Sequence, residues 1–300
     1  MNNLLLYAAS VLIWGSTWFA ITYQLGTVPP AVSVVWRFLA AGLLLLAYSL
    51  LRRLPLRFSA WDHGWMALQG LFLFSVNYVC VYLAEQSLTS GLVAVVFSLM
   101  AVGNIIGMRI FFGVPVNPVG LIGVTLGLAG IALLFWPDLR DSSGSGERTL
   151  GLMLAGASTL VASLGNMVAT RNQRRGLPIV QVNGWSMLYG ALLMATYAAL
   201  SGQRFVFDWS GPYLWSWAYL SVFGSVLAFG AYLTLMSRIG ADRAGYSMIA
   251  IPVVALLIST WWENLRWTAA MWMGVALCLM GNTLVIGRRT LASYSEKLGR

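Results

Sequence analysis

Between Ala31 and Leu51 the chain reads AVSVVWRFLAAGLLLLAYSLL, with a single charge, at Arg37. A bilayer core about 30 Å thick takes about 20 apolar residues of α-helix to cross. This stretch therefore predicts a membrane-spanning helix, and the rest of the chain has the same character. Of the 300 residues, 59% are hydrophobic and only 9% are charged, whereas an average soluble chain has about 25% charged residues. The composition excludes a cytosolic enzyme, a secreted domain and a disordered scaffold.

Charged and Pro/Gly-rich breaks divide the chain into ten such apolar stretches. We therefore predict an all-α polytopic membrane protein with ten transmembrane helices, because the runs are long and continuous and lack the alternating pattern of a β-barrel. The predicted spans are residues 4–22, 31–51, 64–84, 91–112, 118–136, 150–170, 178–200, 212–236, 244–262 and 269–287.

The basic residues predict how the protein is oriented. Thirteen of the 18 Lys and Arg residues lie on the side of the two chain termini, four lie on the other side, and Arg37 lies within a span. Cytoplasmic loops carry such an excess of positive charge. We expect a multi-pass protein of the bacterial cytoplasmic (inner) membrane with both termini in the cytoplasm. The thin spread of these charges does not predict a nucleic-acid partner, despite the net charge of +9.

The sequence predicts no metal and no cofactor. Cys80 and Cys278 each lie inside an apolar run, and His63 is the single histidine, so metal-ligand spacing is missing. Deep Ser/His, Asp/Asp and His/Glu pairs are missing too, which disfavours an intramembrane enzyme.

The two halves of the chain resemble each other at an offset of about 150 residues. Pro29 precedes Trp36 by seven residues, as Pro178 precedes Trp185, and glycine pairs seven residues apart recur at 123/130 and 274/281. We interpret the glycines at 103/107 and 120–130 as helix packing seams. Five spans per half is an odd number, so the halves form an inverted repeat, which is typical of alternating-access transporters. The predicted division is 1–137 for the first five-helix repeat, 138–149 for a linker, 150–288 for the second repeat and 289–300 for a cytoplasmic tail.

Several short motifs occur together in this chain. They are Trp14-Gly15-Ser16, Pro29/Pro30 followed by Trp36-Arg37-Phe38, and Pro252 eleven residues before Glu263. With these motifs the chain resembles the EamA-type members of the drug/metabolite transporter superfamily, and most of all the aromatic and neutral amino-acid exporters. The resemblance implies a carrier of two inverted five-helix repeats that exports small metabolites. The family often has a proline in span four and an acidic residue at its end, where this chain has Ala101 and Phe111-Phe112-Gly113.

Polar and aromatic side chains within the spans predict a central cavity, because lipid offers polar groups no partner. Phe74, Tyr78, Tyr82 and Glu85 share one face of span three. Plain helix packing is the alternative for this face and for Trp14. The predicted substrate-binding residues are Trp14, Trp18, Asn77, Tyr78, Tyr82, Ser98, Asn104, Ser163, Asn166, Tyr232 and Tyr246.

Three charged residues are predicted to have gating or structural roles. Arg37 is the deep cation, which either faces a substrate carboxylate or is paired structurally. Glu85 and Glu263 fall at the outer ends of their spans, where we expect water to reach them. Because no carboxylate lies near the middle of the membrane, the sequence predicts facilitated diffusion or weak coupling.

These features predict a transporter that exports small amphipathic metabolites by alternating access through an uncharged cavity. Amino acids with aromatic or apolar side chains are the first candidates. The alternative is a carrier of another metabolite, such as a nucleotide sugar, a lipid-linked compound or a drug-like compound. We expect a monomer within the lipid bilayer and leave a dimer open.

Overall fold

The computed structural model describes residues 2–115, 118–134, 146–239 and 247–298, which form ten helices. They are α1 (Asn3–Thr22), α2 (Pro30–Leu51), α3 (Ala60–Ala84), α4 (Ser90–Phe112), α5 (Pro118–Leu134), α6 (Gly146–Arg174), α7 (Ile179–Leu200), α8 (Gly211–Tyr219, Leu220–Leu227 and Ala228–Ile239), α9 (Ser247–Trp262) and α10 (Ala269–Leu298). Six of them, α1–α4, α6 and α8, are long and apolar enough to cross a bilayer, and α5, α9 and α10 contain shorter apolar stretches. The predicted all-α fold with ten helices is confirmed.

Several helix ends differ by four residues or more from the predicted spans, among them the start of α3 at Ala60 and the end of α6 at Arg174. Helix α6 already begins at Gly146, before residue 150, since Glu147 in its first turn favours the helix N-terminus. Helix α10 continues to Leu298, beyond residue 287, because neither proline nor glycine occurs from 288 to 298. Residues 138–145 of the predicted linker lie outside the described residues.

The helices alternate in direction, so the bundle has two ends. We call the end with the loops at residues 52–59 and 175–178 the terminal end, because α1 starts there. The other end, with the loops at 23–29, 85–89, 201–210 and 263–268, is the distal end. The core lies around the distal halves of α2 and α4, where residues 31–35 and 90–96 are continuously buried.

The contacts between helices repeat when each helix is exchanged for the one five places later. Helices α2 and α7, α5 and α10, and α4 and α9 pair with each other. The contact of α1 with α9 has its counterpart in that of α6 with α4, and the contact of α1 with α8 in that of α6 with α3. Because each half has an odd number of helices, the two halves run in opposite directions. The fold is therefore two inverted five-helix repeats.

The turns after the helices repeat in the same way. Six described residues have a positive φ, and they pair at offsets of 149–151: Gly26 with Gly176, Arg53 with Gly202, and Gly113 with Asn264. Each pair lies just after equivalent helices. The N–H of Leu54 bonds to the Ser49 carbonyl, and the N–H of Gln203 to the Ala198 carbonyl, which is the same helix-ending motif twice.

Two tryptophans at equivalent positions tie each half to the other. Trp36 on α2 donates its indole N–H to the Val206 carbonyl in the loop 201–210, at 3.0 Å. Trp185 on α7 donates to the Leu56 carbonyl in the loop 52–59, at 3.3 Å. Each loop is therefore held by a side chain of the opposite repeat.

Helices α5 and α10 pack through the glycines of the two recurring pairs. A Cβ on Gly130 would lie 2.6 Å from the Gly274 carbonyl oxygen, and one on Gly281 would lie 2.5 Å from that of Gly123. A Cβ on Gly103 would similarly collide with Ser163 of α6. The prediction that these glycines form packing seams is confirmed.

Candidate functional site

Helices α3 and α8 each contain a π-helical segment, at equivalent positions in the two repeats. The segments are Phe72–Val76 and Leu220–Leu227. In each, a buried serine bonds to the carbonyl five residues earlier, Ser75 to Gly70 and Ser225 to Leu220. Such bulges within helices are frequent at functional sites, because they free backbone groups for other partners.

One freed carbonyl binds a tryptophan of the predicted site. The N–H of Ala228 bonds to the Phe223 carbonyl, so the Gly224 carbonyl loses the partner that an α-helix would give it. Trp14 of α1 donates its indole N–H to this Gly224 carbonyl at 3.1 Å. The ring of Trp14 is thereby fixed at the interface between the two repeats.

Around Trp14 lies a group of rings that we call the aromatic cluster. Its members come from α1, α2, α3 and α8 and are Trp14, Phe38, Phe74, Tyr78, Phe229 and Tyr232. The ring centroids of Trp14 and Phe229 are 5.0 Å apart, and those of Phe38 and Tyr78 are 4.7 Å apart. The cluster joins the two halves with apolar faces and with the Tyr78 and Tyr232 hydroxyls.

Arg37 lies beside the aromatic cluster and is only 1% exposed. Its guanidinium carbon is 4.6 Å from the centroid of the Tyr78 ring, and its Nε donates to Ser225 Oγ of the π-helical segment at 3.3 Å. In the described part of the chain no carboxylate forms an ion pair with Arg37, and its Nη1 has no hydrogen-bond partner. A buried cation with free donors next to aromatic rings can bind an anionic group.

The distal end of α3 carries Tyr82 and Glu85, which are both buried. The Tyr82 hydroxyl donates to Gln24 Oε1 at 2.6 Å. Glu85 is 6% exposed, and neither of its oxygens has a hydrogen-bond partner among the described residues. The expectation that water reaches Glu85 is therefore wrong, because the helices close over this end of the bundle.

Glu263 instead joins the repeats at the distal end. Its carboxylate accepts the Ser90 N–H at 3.1 and 3.2 Å and the Ser90 hydroxyl at 2.5 Å, and it also bonds to Ser259. Because Ser90 begins α4, the carboxylate lies at the positive end of that helix dipole. The position equivalent to Glu263 in the first repeat is Phe112, so this carboxylate has no counterpart there.

Polar residues of α4 and α6 form a second group. Asn166 Nδ2 donates to Asn104 Oδ1 at 3.2 Å, and Ser163 Oγ donates to the Met100 carbonyl at 3.3 Å. The predicted residues Asn104, Ser163 and Asn166 thus lie together.

The remaining predicted site residues have separate environments. Trp18 packs on Phe97 of α4, with centroids 5.1 Å apart. Asn77 and Ser98 donate to carbonyls of their own helices. Tyr246 lies outside the described residues.

Sequence reasoning missed three groups of buried residues. Phe229 completes the aromatic cluster, and Gln24 binds Tyr82. Near the terminal end, Gln69 bonds to both Asn172 and Asn183, at 3.0 Å each. Gln24, Gln69, Asn172 and Asn183 could have been found in the sequence, because each is a side-chain amide in or beside an apolar span.

Known proteins connect this architecture with transport. The EamA-like transporter family matches residues 1–136 and 149–287. The chain belongs to the EamA-like transporter family. It is accordingly a membrane transporter rather than an enzyme, which confirms the predicted class of function. The resemblance to EamA-type carriers is confirmed at the level of the family.

Relatives of this EamA chain extend over almost its whole length. YedA of Escherichia coli (strain K12), an uncharacterized inner membrane transporter, is 29% identical, over 95% of this chain and 90% of YedA. PagO of Salmonella typhimurium is 20% identical over 98% of both chains. A solved crystal structure that is 22% identical superposes with a TM-score of 0.66 over 95% of this chain and 97% of that one, and it supports the fold alone.

Proposed function

We propose that this EamA transporter exports small amphipathic metabolites, first of all amino acids with aromatic or apolar side chains. The observation that carries the proposal is the aromatic cluster with the buried, unpaired Arg37 at its edge. Aromatic faces suit the apolar part of such a cargo, and the guanidinium suits its carboxylate. A single cation is a poor match for a phosphorylated cargo, which carries more negative charge.

Transport would proceed by alternating access. Trp14 and Phe74 belong to the first repeat and Phe229 to the second, so a relative rotation of the repeats would open the cluster to one side or the other. The bonds from Glu263 to Ser90 would hold the distal ends of α4 and α9 together while cargo enters from the terminal end.

We place the protein in the bacterial inner membrane with both termini in the cytoplasm, so that the distal end faces outward. The named location of YedA and the excess of basic residues at the terminal end support this placement. We propose a monomer, since all residues of the aromatic cluster come from one chain.

Purified protein in liposomes tests the cargo. Uptake of labelled Phe, Trp, Leu and Val should exceed that of empty liposomes, and Arg37→Gln should reduce it at least about tenfold, because a charge-assisted bond is lost. Arg204→Gln is the matched control, since Arg204 is an exposed residue of a distal loop, and it should leave uptake unchanged. Absence of flux for every amino acid in the panel would contradict the proposed cargo.

A further inference from the structure

Glu85 is a buried carboxyl group that the proposed transport cycle does not yet use. It follows the end of α3, it is 6% exposed, and both of its oxygens are without hydrogen-bond donors in the described part of the chain. An ionised carboxylate removed from water needs such donors far more than the neutral acid does. We therefore infer that Glu85 holds a proton in this conformation.

The charged and titratable groups around Glu85 come from three elements. Arg37 of α2 and Glu263 after α9 both lie within electrostatic range of it, and Tyr82 lies one turn earlier on α3. Helix α6 approaches this end through Gly151, which contributes no charge. Arg37 favours a negative charge on Glu85, whereas Glu263 opposes it.

Glu263 differs from Glu85 because it has donors. The Ser90 N–H and hydroxyl both bond to the Glu263 carboxylate, which stabilises its ionised form. Of the two neighbouring carboxyl groups, Glu263 is therefore the one with hydrogen-bond donors, and Glu85 is the one without them among the described residues. A cation that bound beside Glu85 would therefore stabilise its ionised form.

We propose that Glu85 exchanges its proton for the ammonium group of the cargo, so that export is driven by proton entry. This inference rests on the proposed function. In the cargo-bound state Arg37 holds the carboxylate, and ionised Glu85 holds the ammonium group. When the cargo leaves at the distal end, a proton from the outer solution binds to the Glu85 carboxylate. The same proton is released to the cytoplasm when the next cargo binds.

The tyrosines of α3 connect the two charged groups. Tyr78 packs under the Arg37 guanidinium, and Tyr82 and Glu85 follow on the same face of the helix. A zwitterion lying along this face would meet the cation and the carboxyl group in order. Coupled exchange through Glu85 then takes the place of the facilitated diffusion or weak coupling that the sequence alone predicted, where Glu85 was expected to lie in water.

Thermal unfolding against pH tests the proton site without any cargo. A glutamate that is neutral when folded and ionised when unfolded makes the folded state bind more protons, so stability falls as pH rises above about 4.3. The melting temperature of the wild type should therefore fall more steeply with pH than that of Glu85→Gln. Glu147→Gln, at an exposed position, should keep the wild-type slope. Parallel slopes for the wild type and Glu85→Gln would overturn the proposal.

Transport in liposomes tests the coupling. Exchange of a proton for a zwitterion of no net charge moves one positive charge across the membrane, so the membrane potential is held at zero with potassium and valinomycin. With the interior one pH unit more acidic, one-for-one exchange should then give about tenfold accumulation of cargo in the wild type. Glu85→Gln should lose this accumulation but still exchange labelled for unlabelled cargo, at weaker apparent affinity. Accumulation that is unaffected by the pH gradient, or retained in Glu85→Gln, would refute coupling through Glu85 while leaving the cargo proposal intact.

The two experiments separate this inference from the cargo. If no amino acid in the panel is transported but the pH slope is lost only in Glu85→Gln, the proton site stands and the proposed cargo is wrong. If amino acids are transported but the pH slopes of the wild type and Glu85→Gln are parallel, the proposed cargo stands and the proton site is wrong.

Discussion

At the scale of single residues, two tryptophans show how one chemical group has different uses. Trp14 and Trp36 each donate an indole N–H to a backbone carbonyl of the second repeat, at 3.1 and 3.0 Å. The acceptor of Trp36 lies in a loop, so this bond fastens the two halves. The acceptor of Trp14 lies in the π-helical segment of α8, next to Ser225 and Arg37, so this bond holds the aromatic cluster.

The substitution Trp14→Phe removes the N–H and keeps an aromatic ring. We expect a loss of about 1 kcal/mol in the free energy of unfolding, as for one buried hydrogen bond, and a clear fall in transport rate. Thermal unfolding and liposome flux measure the two effects.

Trp36→Phe is the matched control for that change. It loses an equivalent bond away from the aromatic cluster, so stability should fall by a similar amount while flux per folded molecule stays near that of the wild type. Equal flux defects in both variants would indicate that Trp14 acts only in packing.

Much of this residue-scale chemistry could not be predicted from sequence. Polar side chains within apolar spans identified Asn104, Ser163 and Asn166, which do lie together, because a membrane leaves such groups few alternatives. The direction of Arg37 was open, since a long side chain reaches either the headgroups or the protein interior. The side chain turns to the protein interior, where it bonds to Ser225, and Ser225 lies 188 residues away along the chain.

At the scale of elements, the turns that end equivalent helices have the same backbone conformation in both repeats, although their residue types differ. Arg53 and Gly202 have φ values of 54° and 67° in equivalent turns. Glycine has no Cβ to strain in this region, whereas an L-residue such as arginine costs about 1–2 kcal/mol there. The same backbone shape is therefore strained in one repeat and relaxed in the other.

Exchanging the residue types at these turns should move stability in opposite directions. Gly202→Ala should lower the free energy of unfolding by about 1 kcal/mol, and Arg53→Gly should raise it by somewhat less than about 1 kcal/mol, because unfolded glycine has more entropy to lose. A Cβ at Gly202 meets nothing within 4 Å, so the effect is one of conformation alone.

Melting temperatures in detergent would check both turn variants. Gly156→Ala, within α6 and also in open space, should cause no loss and controls for added volume. A stabilising Gly202→Ala would contradict the left-handed turn.

The elements themselves were predictable because each span is a long apolar run. The π-helical segments were not, since no periodicity in the sequence marks them. In each segment a buried serine hydroxyl bonds to the carbonyl five residues back, and Ser75 also bonds to the Leu71 carbonyl four residues back, at 2.6 Å. The interruption of α4 at Leu99, between two apolar stretches, is equally invisible in composition.

At the scale of the whole molecule, the two repeats share a backbone plan but differ in charge. Because Trp36 corresponds to Trp185, the position equivalent to Arg37 in the second repeat is Ser186. The position equivalent to Glu263 in the first repeat is Phe112. The charges of Arg37, Glu85 and Glu263 therefore lie towards the distal end, while the amides Gln69, Asn172 and Asn183 bond to one another near the terminal end. A carrier with identical halves would have equal free energies when open to either side, and these differences bias that equilibrium.

The sequence predicts that both chain termini lie in the cytoplasm, and labelling of single cysteines would measure it. With Cys80 and Cys278 replaced, Asn3→Cys and a cysteine added at the C terminus should react with a membrane-impermeant maleimide only after the cells are opened. Trp209→Cys, in an exposed distal loop, should react in intact cells. Termini on opposite faces would be incompatible with ten crossings.

The reciprocal tryptophan bonds have a consequence for biosynthesis. The carbonyl of Leu56 leaves the ribosome well over a hundred residues before Trp185, its partner, has been translated. The first five helices therefore enter the bilayer with one loop unfinished, and that loop gains its anchor only when the seventh helix is inserted. A nascent chain stopped at the midpoint would lack the hydrogen bond from Trp185 that holds the loop at residues 52–59. Each half therefore reaches its final structure only in the presence of the other.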